Sequence, residues 1–413
     1  MAYNSIINGG PQTYSSGAPE TAQSLIPLEY ANEIVSLVPA QSVALKSFRR
    51  YNMGHSVLQI PVLDALPSAE WVSNQGFASP STPAEEAYGA LEETTEAGWK
   101  GVQLTAETLA VNVPISRITL ADSGFPIWSE VVPLVAGALA RKLDASTLFG
   151  YSSPFTAPAL VPAAVAAGQV ETKGTHTAEE GGLAHDVSQL FNAVEAVSGF
   201  NVTNVIASKA LRYAVRNART TIGSQIPIAS GYQIDEKEWY GVDVDYNAAP
   251  GLWPGAPATG LKGTVAEKTS VVTLTTGETT TLRPGDTVVI GSVTGTFTIT
   301  KVESSTKFAV NHEFTKADQE ATAGKVVVTS LNPVAILGDF AGQAIIGVRQ
   351  DLEFQMFNTG VITNKKGEIT QNLMTQDMVN LRVTARYGYA VANSVTYYHE
   401  AESGRYPFGV LLA

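Results

Sequence analysis

Asp377-Met378-Val379-Asn380-Leu381-Arg382-Val383-Thr384-Ala385-Arg386-Tyr387-Gly388-Tyr389-Ala390-Val391 alternates along most of its length. Val379, Leu381, Val383 and Ala385 fall on one side, with polar residues between them. Successive side chains point to opposite faces of a strand. Met378 to Ala392 is therefore expected to be a long strand exposed on one face. Such a strand needs partners. Upstream, Ala335 to Phe340, Ala344 to Arg349 and Leu352 to Phe357 are strand-like runs joined by tight turns, and Asn364 to Gly367 marks another turn.

Further toward the N-terminus the composition changes near Gly255. From Thr259 to Thr329 threonine is abundant and short runs alternate: Ser270 to Thr275, Thr287 to Ile290, Thr296 to Val302, Lys307 to Val310 and Lys325 to Thr329. Glycines punctuate them. Short strands at even spacing imply a small sandwich or barrel. Val242 to Tyr246 before it and Val334 to Phe340 after it read as halves of one α/β domain, so 256–331 is read as an inserted β domain. Its seven Lys/Arg and seven Asp/Glu balance.

The α/β part holds Val202 to Ala207 as a buried-type strand, Lys209 to Ala218 as a helix and Tyr240 to Tyr246 as a strand. Asp186 is read as the cap of a helix through Val197. Residues 151–182 form a Pro-, Ala- and Gly-rich connector. The best helix is Ile127 to Phe149: Trp128, Val131, Val132, Val135, Leu139 and Leu143 share one face. Pro133 should kink or restart it.

Ser56 to Leu63 and Val102 to Ile115 read as outgoing and returning strands. Between them no Lys or Arg occurs from Tyr51 to Trp99, while Glu85, Glu86, Glu92, Glu93 and Glu96 cluster. A stretch this long with little core pattern tends to be functional. It reads as a projecting two-stranded arm whose partner lies elsewhere; a disordered acidic loop is the other reading. Residues 1–24 carry Glu20 as the sole charge and read as a flexible arm. Leu25 to Ala44 is the first folded piece, with Ile34, Leu37 and Val38 at helical spacing. Lys46 to Tyr51 reads as an exposed basic strand.

The 413 residues suffice for two or three domains. Charged residues are 15%, against roughly 25% in an average soluble domain. That fits a surface largely buried against other subunits, though a Thr-rich monomer would look the same. Lys plus Arg total 26 and Asp plus Glu 38, a net charge of −12, which argues against gripping phosphate backbones by global charge. Cysteine is absent, which excludes disulfides and thiolate chemistry. No apolar run spans a membrane, and Met1 to Ser24 does not read as a secretory signal. A soluble intracellular product is expected.

Of the histidines at 55, 176, 185, 312 and 399, none has a His or carboxylate partner at metal-ligand spacing along the sequence. Gly324-Lys325 lies in a strand pattern, not a phosphate loop. Glu85-Glu86 and Glu92-Glu93 sit in a Gly- and Pro-rich arm and read as a solvated or partner-facing charge run. No catalytic residue, metal or cofactor is expected.

The order of parts now carries weight: flexible arm, projecting loop, long helix, α/β domain, closing strand. It resembles the major capsid proteins of tailed double-stranded DNA phages, the Hong Kong ninety-seven fold. Ile336-Leu337-Gly338-Asp339-Phe340 with Ala344-Ile345-Ile346-Gly347-Val348-Arg349 is similar to that family's axial strands. The run from Asp377 to Val391 is similar to its closing strand in the peripheral domain, and Leu25-Ile26-Pro27 before Glu33-Ile34-Val35 to the start of its folded part. The resemblance implies an α+β capsid fold. It has an arm and first helix at 1–54, an extended loop at 55–116, and a peripheral domain with spine helix at 117–182. Axial halves follow at 183–255 and 332–357, flanking the β insertion at 256–331, with a return to the peripheral domain at 358–413.

The resemblance further implies a structural, non-enzymatic subunit that forms hexamers and pentamers of an icosahedral shell around phage DNA, bound without sequence specificity. A separate scaffolding protein, a portal and a decoration protein are the implied further partners, with assembly in the host cytoplasm and no membrane. Subunit contacts are expected at Trp71, Phe77, Glu92, Glu93, Trp99 and Lys100 of the loop, and at Arg49, Arg50, Arg382 and Arg386. Two departures from the family pattern stand out. The arm begins within the first 25 residues, so the cleaved scaffolding segment of some members is not expected. One branch joins a loop lysine to an asparagine of the closing strand; here Lys100 is the sole candidate donor, and Asp377 and Thr384 occupy the partner positions. No crosslink is expected. An encapsulin-like compartment shell and a β-rich adhesion protein remain as alternatives.

Overall fold

The structure is a computed structural model. It describes residues 42–67, 97–123, 127–217 without 152, 234–246, 253, and 261–413 without 278, 280, 281, 283, 285, 292, 294, 296, 322–325, 330, 331 and 364–368. The arm before Ser42, the helical reading at Ile34, Leu37 and Val38, the loop tip and the Asn364–Gly367 turn lie outside the described residues.

In chain order the elements are α1 Val43–Ser47, β1 Arg49–Asn52, β2 Val57–Ala65, β3 Gly98–Thr105, β4 Glu107–Ser116, α2 Arg117–Asp122 and α3 Ile127–Leu148. Next come α4 Leu160–Ala166, β5 Val170–Thr172, α5 Gly182–Asn192, β6 Asn204–Ala207, α6 Lys209–Asn217, β7 Glu238–Trp239 and β8 Val242–Tyr246. The inserted unit holds β9 Lys262–Val265, β10 Val271–Thr276, β11 Thr287–Ile290, β12 Phe297–Ser304, β13 Lys307–Val310, α7 Lys316–Ala321 and β14 Val326–Thr329. The chain closes with β15 Pro333–Gly338, β16 Ala344–Phe357, β17 Val361–Thr363, β18 Ile369–Asn372, β19 Met378–Val391 and β20 Phe408–Leu412.

β19 is the expected long strand. It pairs antiparallel with β16 on one side and β4 on the other, in a sheet ordered β1-β16-β19-β4. Its exposure differs from the one-faced expectation. Arg382 and Arg386 are exposed, but the C-terminal half is buried on both sides. There Ala385, Tyr387 and Tyr389 face a core with Phe48, Leu143, Phe149, Phe340 and Phe408, while Ala390 packs with Met53, Val62 and Leu104. The spine helix α3 runs unbroken through Pro133 for 22 residues, about 33 Å. It neither restarts nor ends there. Val135 and Leu139 pack on Leu381 and Val383 of β19. At its far end Asp144 is buried, and its carboxylate accepts from Ser42 Oγ at 2.6 Å and from the N–H groups of Val43 and Ala44 at 2.9 and 3.0 Å. The spine thereby supplies the anion that a helix start favours, and α1 is pinned to it.

The second sheet is ordered β5-β20-β15-β6-β8-β7. It corrects three expectations. β20 at the C-terminus returns to this sheet, paired with β15 and β5, rather than staying with the peripheral strands. β16, expected as part of the axial half, lies in the other sheet, because the chain reverses at Gly338 and over residues 339–343. The expected connector at 151–182 contains α4 and β5. Residues 344–357 form one strand, not two: two register shifts, from Val348 to Gln350 and from Gln350 to Glu353, bend it without breaking it. Asp186 is not a cap. Gly181 holds that position, and Asp186 is buried inside α5.

The inserted unit forms its own six-stranded sheet, β14-β11-β12-β13-β10-β9. Its fourteen-member apolar cluster, from Leu261 to Phe314, contains no residue of the flanking sheets. β9 and α7 are additions to the strands read from the sequence.

Candidate subunit-contact surfaces

Val102 to Ile115 is not one returning strand. β3 pairs with β2 from Val57↔Thr105 to Ala65↔Gly98, and after Ala106 the chain changes partner, so β4 joins β19. The projecting element is thus the β2–β3 ribbon. Its two faces differ: Val57, Gln59, Pro61, Trp99 and Gln103 are exposed on one, while Leu58, Ile60 and Val102 are half-buried and Val62 and Leu104 buried on the other. An isolated two-stranded ribbon is marginal in water, so its root decides its stance. Leu104 and Val62 pack there with Met53, Ile345, Ala390 and Ala392. The root rests on the paired glycines Gly347 and Gly388. A Cβ on Gly388 would lie 3.1 Å from the Thr105 carbonyl oxygen, and one on Gly347 would lie against Met53 Sδ.

A charge knot completes the root. Arg405, with a fully buried side chain, donates to Asp64 Oδ1 at 2.9 Å and to the carbonyls of His399, Glu400 and Asn393. Lys100 lies 2.6 Å from Glu402 Oε1 and 3.5 Å from Asp64 Oδ1. Val395 N–H also reaches the Leu63 carbonyl at 3.0 Å.

Trp71, Phe77, Glu92 and Glu93 lie outside the described residues. Trp99 is 67% exposed on β3, beside the anchored Lys100. Arg382 and Arg386 share the exposed face of β19, opposite Asn112 and Thr108 of β4 and Gln355 and Gln350 of β16. Arg49 and Arg50 lie on edge strand β1 of that sheet, separated from β19 by β16. Arg49 stands over the Tyr51 ring at 5.1 Å, and Arg50 donates to the Leu45 carbonyl. The structure therefore assembles the arginines on one sheet, apart from Trp99 and Lys100 on the ribbon. Asp377 pairs with Arg117 at 3.3 Å, and Thr384 is in register with Ala110 and Glu353.

Sequence reasoning missed the exposed apolar groups: Tyr397, 90% exposed, with Tyr398, Phe354, Met356, Ile369 and Met374. Neighbouring exposed apolar side chains, as at Tyr397 with Tyr398, are candidates for contact with another subunit. The signal was present in Tyr397-Tyr398 and in the i, i+2 pair Phe354 and Met356. Among the described residues, the set of three metal-ligating side chains brought together is Glu171, His176 and Asp186.

The family model described as the phage capsid family matches residues 22–235. The chain belongs to the phage capsid family. It is a major capsid protein, a structural subunit that assembles with copies of itself into the shell of the virion. A solved structure from Microbacterium phage Oxtober96 is similar over 95% of this chain and 97% of that one, at 26% identity and a TM-score of 0.64. One from Mycobacterium phage Bobi is similar over 97% and 98%, at 25% identity and a TM-score of 0.63. The capsid of an empty GTA particle shares the fold at 14% identity, with a TM-score of 0.51 over 95% and 96% of the two chains. No curated protein matches the capsid subunit by sequence. The compartment-shell and adhesion readings are not favoured by these similarities.

Proposed function

We propose that the subunits close as hexamers and pentamers into an icosahedral shell around double-stranded phage DNA, held without sequence specificity. Assembly occurs in the host cytoplasm, with a separate scaffolding protein, a portal and a decoration protein as partners. The observation that carries this reading is the β2–β3 ribbon: its Leu58, Ile60, Val62, Val102 and Leu104 face rests on the body and Asp64 is tied to Arg405, while the opposite face, which carries Trp99, is left exposed. That open face gains burial by covering a neighbour. The sequence between its two strands holds Trp71, Phe77 and the glutamates including Glu92 and Glu93. Arg382 and Arg386 offer a complementary face, with Arg49 and Arg50 at the far sheet edge.

In this reading 55–105 is the extended loop, 256–331 a separate outer domain and α3 the spine. The joints are non-covalent: Lys100 is held by Glu402, and Asp377 by Arg117. Exposed ion pairs are each worth about 0–1 kcal/mol, so Trp71, Phe77 and Trp99 supply most of the loop's contact. Electron cryomicroscopy of the purified protein at assembly concentration tests the proposal. Closed shells with the ribbon laid over the adjacent subunit are expected. A stable monomer at every concentration by light scattering would contradict it.

A further inference from the structure

We propose that Glu171, His176 and Asp186 bind a divalent transition-metal ion of the zinc class, with His176 Nδ1 and Asp186 Oδ1 as the inner ligands. One ligand atom of each residue lies within 4.8 Å of the other two. They come from three places in the fold: Glu171 from edge strand β5, His176 from the turn after it, and Asp186 from the first turns of α5. Nothing along the sequence puts them at metal-ligand spacing. The fold does so by closing the 173–181 connection over the Asp186 carboxylate.

The Asp186 side chain is 0% exposed. Burying a carboxylate is costly unless it is paired and hydrogen-bonded. Here Oδ2 accepts the Gly174 N–H at 2.7 Å, and Oδ1 accepts the His176 N–H at 3.2 Å and lies 2.7 Å from His176 Nδ1. Gly174 takes φ +87 to present that N–H, in open space. A carboxylate has about four lone-pair sites, so one remains for a further partner. Among the described residues, neither Glu171 nor Asp186 has a lysine or arginine partner. Two carboxyl groups and an imidazole thus converge with no lysine or arginine paired with them among the described residues.

The second histidine holds the first in place. The His185 ring stacks on His176 at 3.8 Å between centroids and 12° between planes. Its Nδ1 bonds the Glu180 carbonyl at 2.8 Å, and its Nε2 lies 3.0 Å from Gln189 Nε2. Both His185 nitrogens are engaged, so it positions His176 and does not ligate.

A bound ion takes the place of the proton between Nδ1 and Oδ1. By exchange with solvent the ring carries its one proton on Nε2 instead, so the Nδ1 lone pair is free for the ion. At zinc–ligand distances of about 2.0–2.1 Å, tetrahedral ligands stand about 3.3 Å apart. The 2.7 Å pair must therefore open slightly, and Glu171 and a water complete the set. Imidazole with carboxylates suits zinc and cobalt(II) better than calcium or magnesium. The ion would staple α5 to the β5 edge of the sheet, next to β20.

Cobalt(II) titration of the purified, chelator-treated full chain tests this. One equivalent per chain is expected, with visible absorption bands of low-symmetry coordination and a raised melting temperature. His176→Ala should abolish the bands; His185→Ala should keep them. Should His176→Ala fail to fold by circular dichroism, Glu171→Gln, at a half-exposed strand position, carries the test through weakened binding. Wild-type protein without saturable binding, or variants at residues 171 and 176 that bind as wild type does, overturns the proposal and leaves Asp186–His176 as a hydrogen bond alone.

Discussion

Arg405 meets Asp64 across 341 positions of sequence, Nη2 to Oδ1 at 2.9 Å, and thereby ties the C-terminal segment to the root of the projecting ribbon. Removing one partner of a buried pair leaves an uncompensated charge. Asp64→Ala should therefore destabilise the free subunit by about 2–4 kcal/mol, at the lower side of that class because Asp64 is partly exposed. Lys100→Ala, which breaks the outer contact to Glu402, should cost about 0–1 kcal/mol. Urea unfolding of both variants gives the comparison; equal losses would mean that the knot works as one surface network.

A second prediction concerns pH. Burial pushes the Asp144 carboxyl from its ordinary 3.8 up to about 6, outweighing the bonds from Ser42, Ala44 and Val43. The folded state then binds the proton more tightly than the unfolded one. Stability from this group is full below about pH 4 and declines as pH rises toward 6, by up to about 3 kcal/mol. Asp144→Asn lacks that titration. The stability difference between wild type and variant should change across this window and level off above it. A difference that is flat from pH 4 to 7 would show that the three donors compensate the ionised form.

Glycines under the ribbon root give a third. Gly388→Ala places a methyl 3.1 Å from a backbone oxygen, and overpacking of this kind costs about 1–3 kcal/mol. Faster amide exchange over residues 98–105 is the expected sign. Gly347→Ala meets the flexible Met53 thioether instead, and should disturb those amides less.

The helix Ile127–Leu148 and the strand Met378–Val391 were legible because their side-chain periods match 3.6 and 2. The changes of partner were not. Alternation continues across Ala106, so the pattern reads one strand where the backbone hydrogen bonds pass from β2 to β19. The bulges in β16 likewise shift the pattern enough to suggest two strands. β20 is five residues long and carries no sign of which sheet it enters. The exposure of Arg382 and Arg386 on one face of β19 agrees with the alternation of that strand. The Arg405–Asp64 tie and the Glu171–His176–Asp186 grouping depend on tertiary closure, which local pattern does not encode.

The insertion supplies a fourth prediction. Its apolar cluster is self-contained, so residues 256–331 expressed alone should unfold cooperatively. Joining Gly255 to Asn332 should leave the remaining chain foldable. Insolubility of the shortened chain even with chaperones would show that the unit is integral to the α/β domain.

Covalent linkage gives the fifth. Mature particles boiled in detergent without reductant should yield one band near 43.6 kDa. A ladder of multimers that disappears in Lys100→Ala would show that Lys100 leaves Glu402 and reacts with a neighbour's carboxyl or amide group.

The position of β20 bears on synthesis. This final strand lies between β5 and β15 inside its sheet, and β19 and β16 complete the other sheet. Neither sheet can close while Met378–Leu412 is still within the ribosome. Domains generally fold as units as they emerge, and the inserted β unit, whose described strands pair only with one another within 262–329, is free to do so early. The surrounding halves must wait until Phe408–Leu412 has emerged. Translation thus delivers a finished knob on an unfinished body, and the subunit becomes competent to meet its neighbours only after β20 has joined β5 and β15.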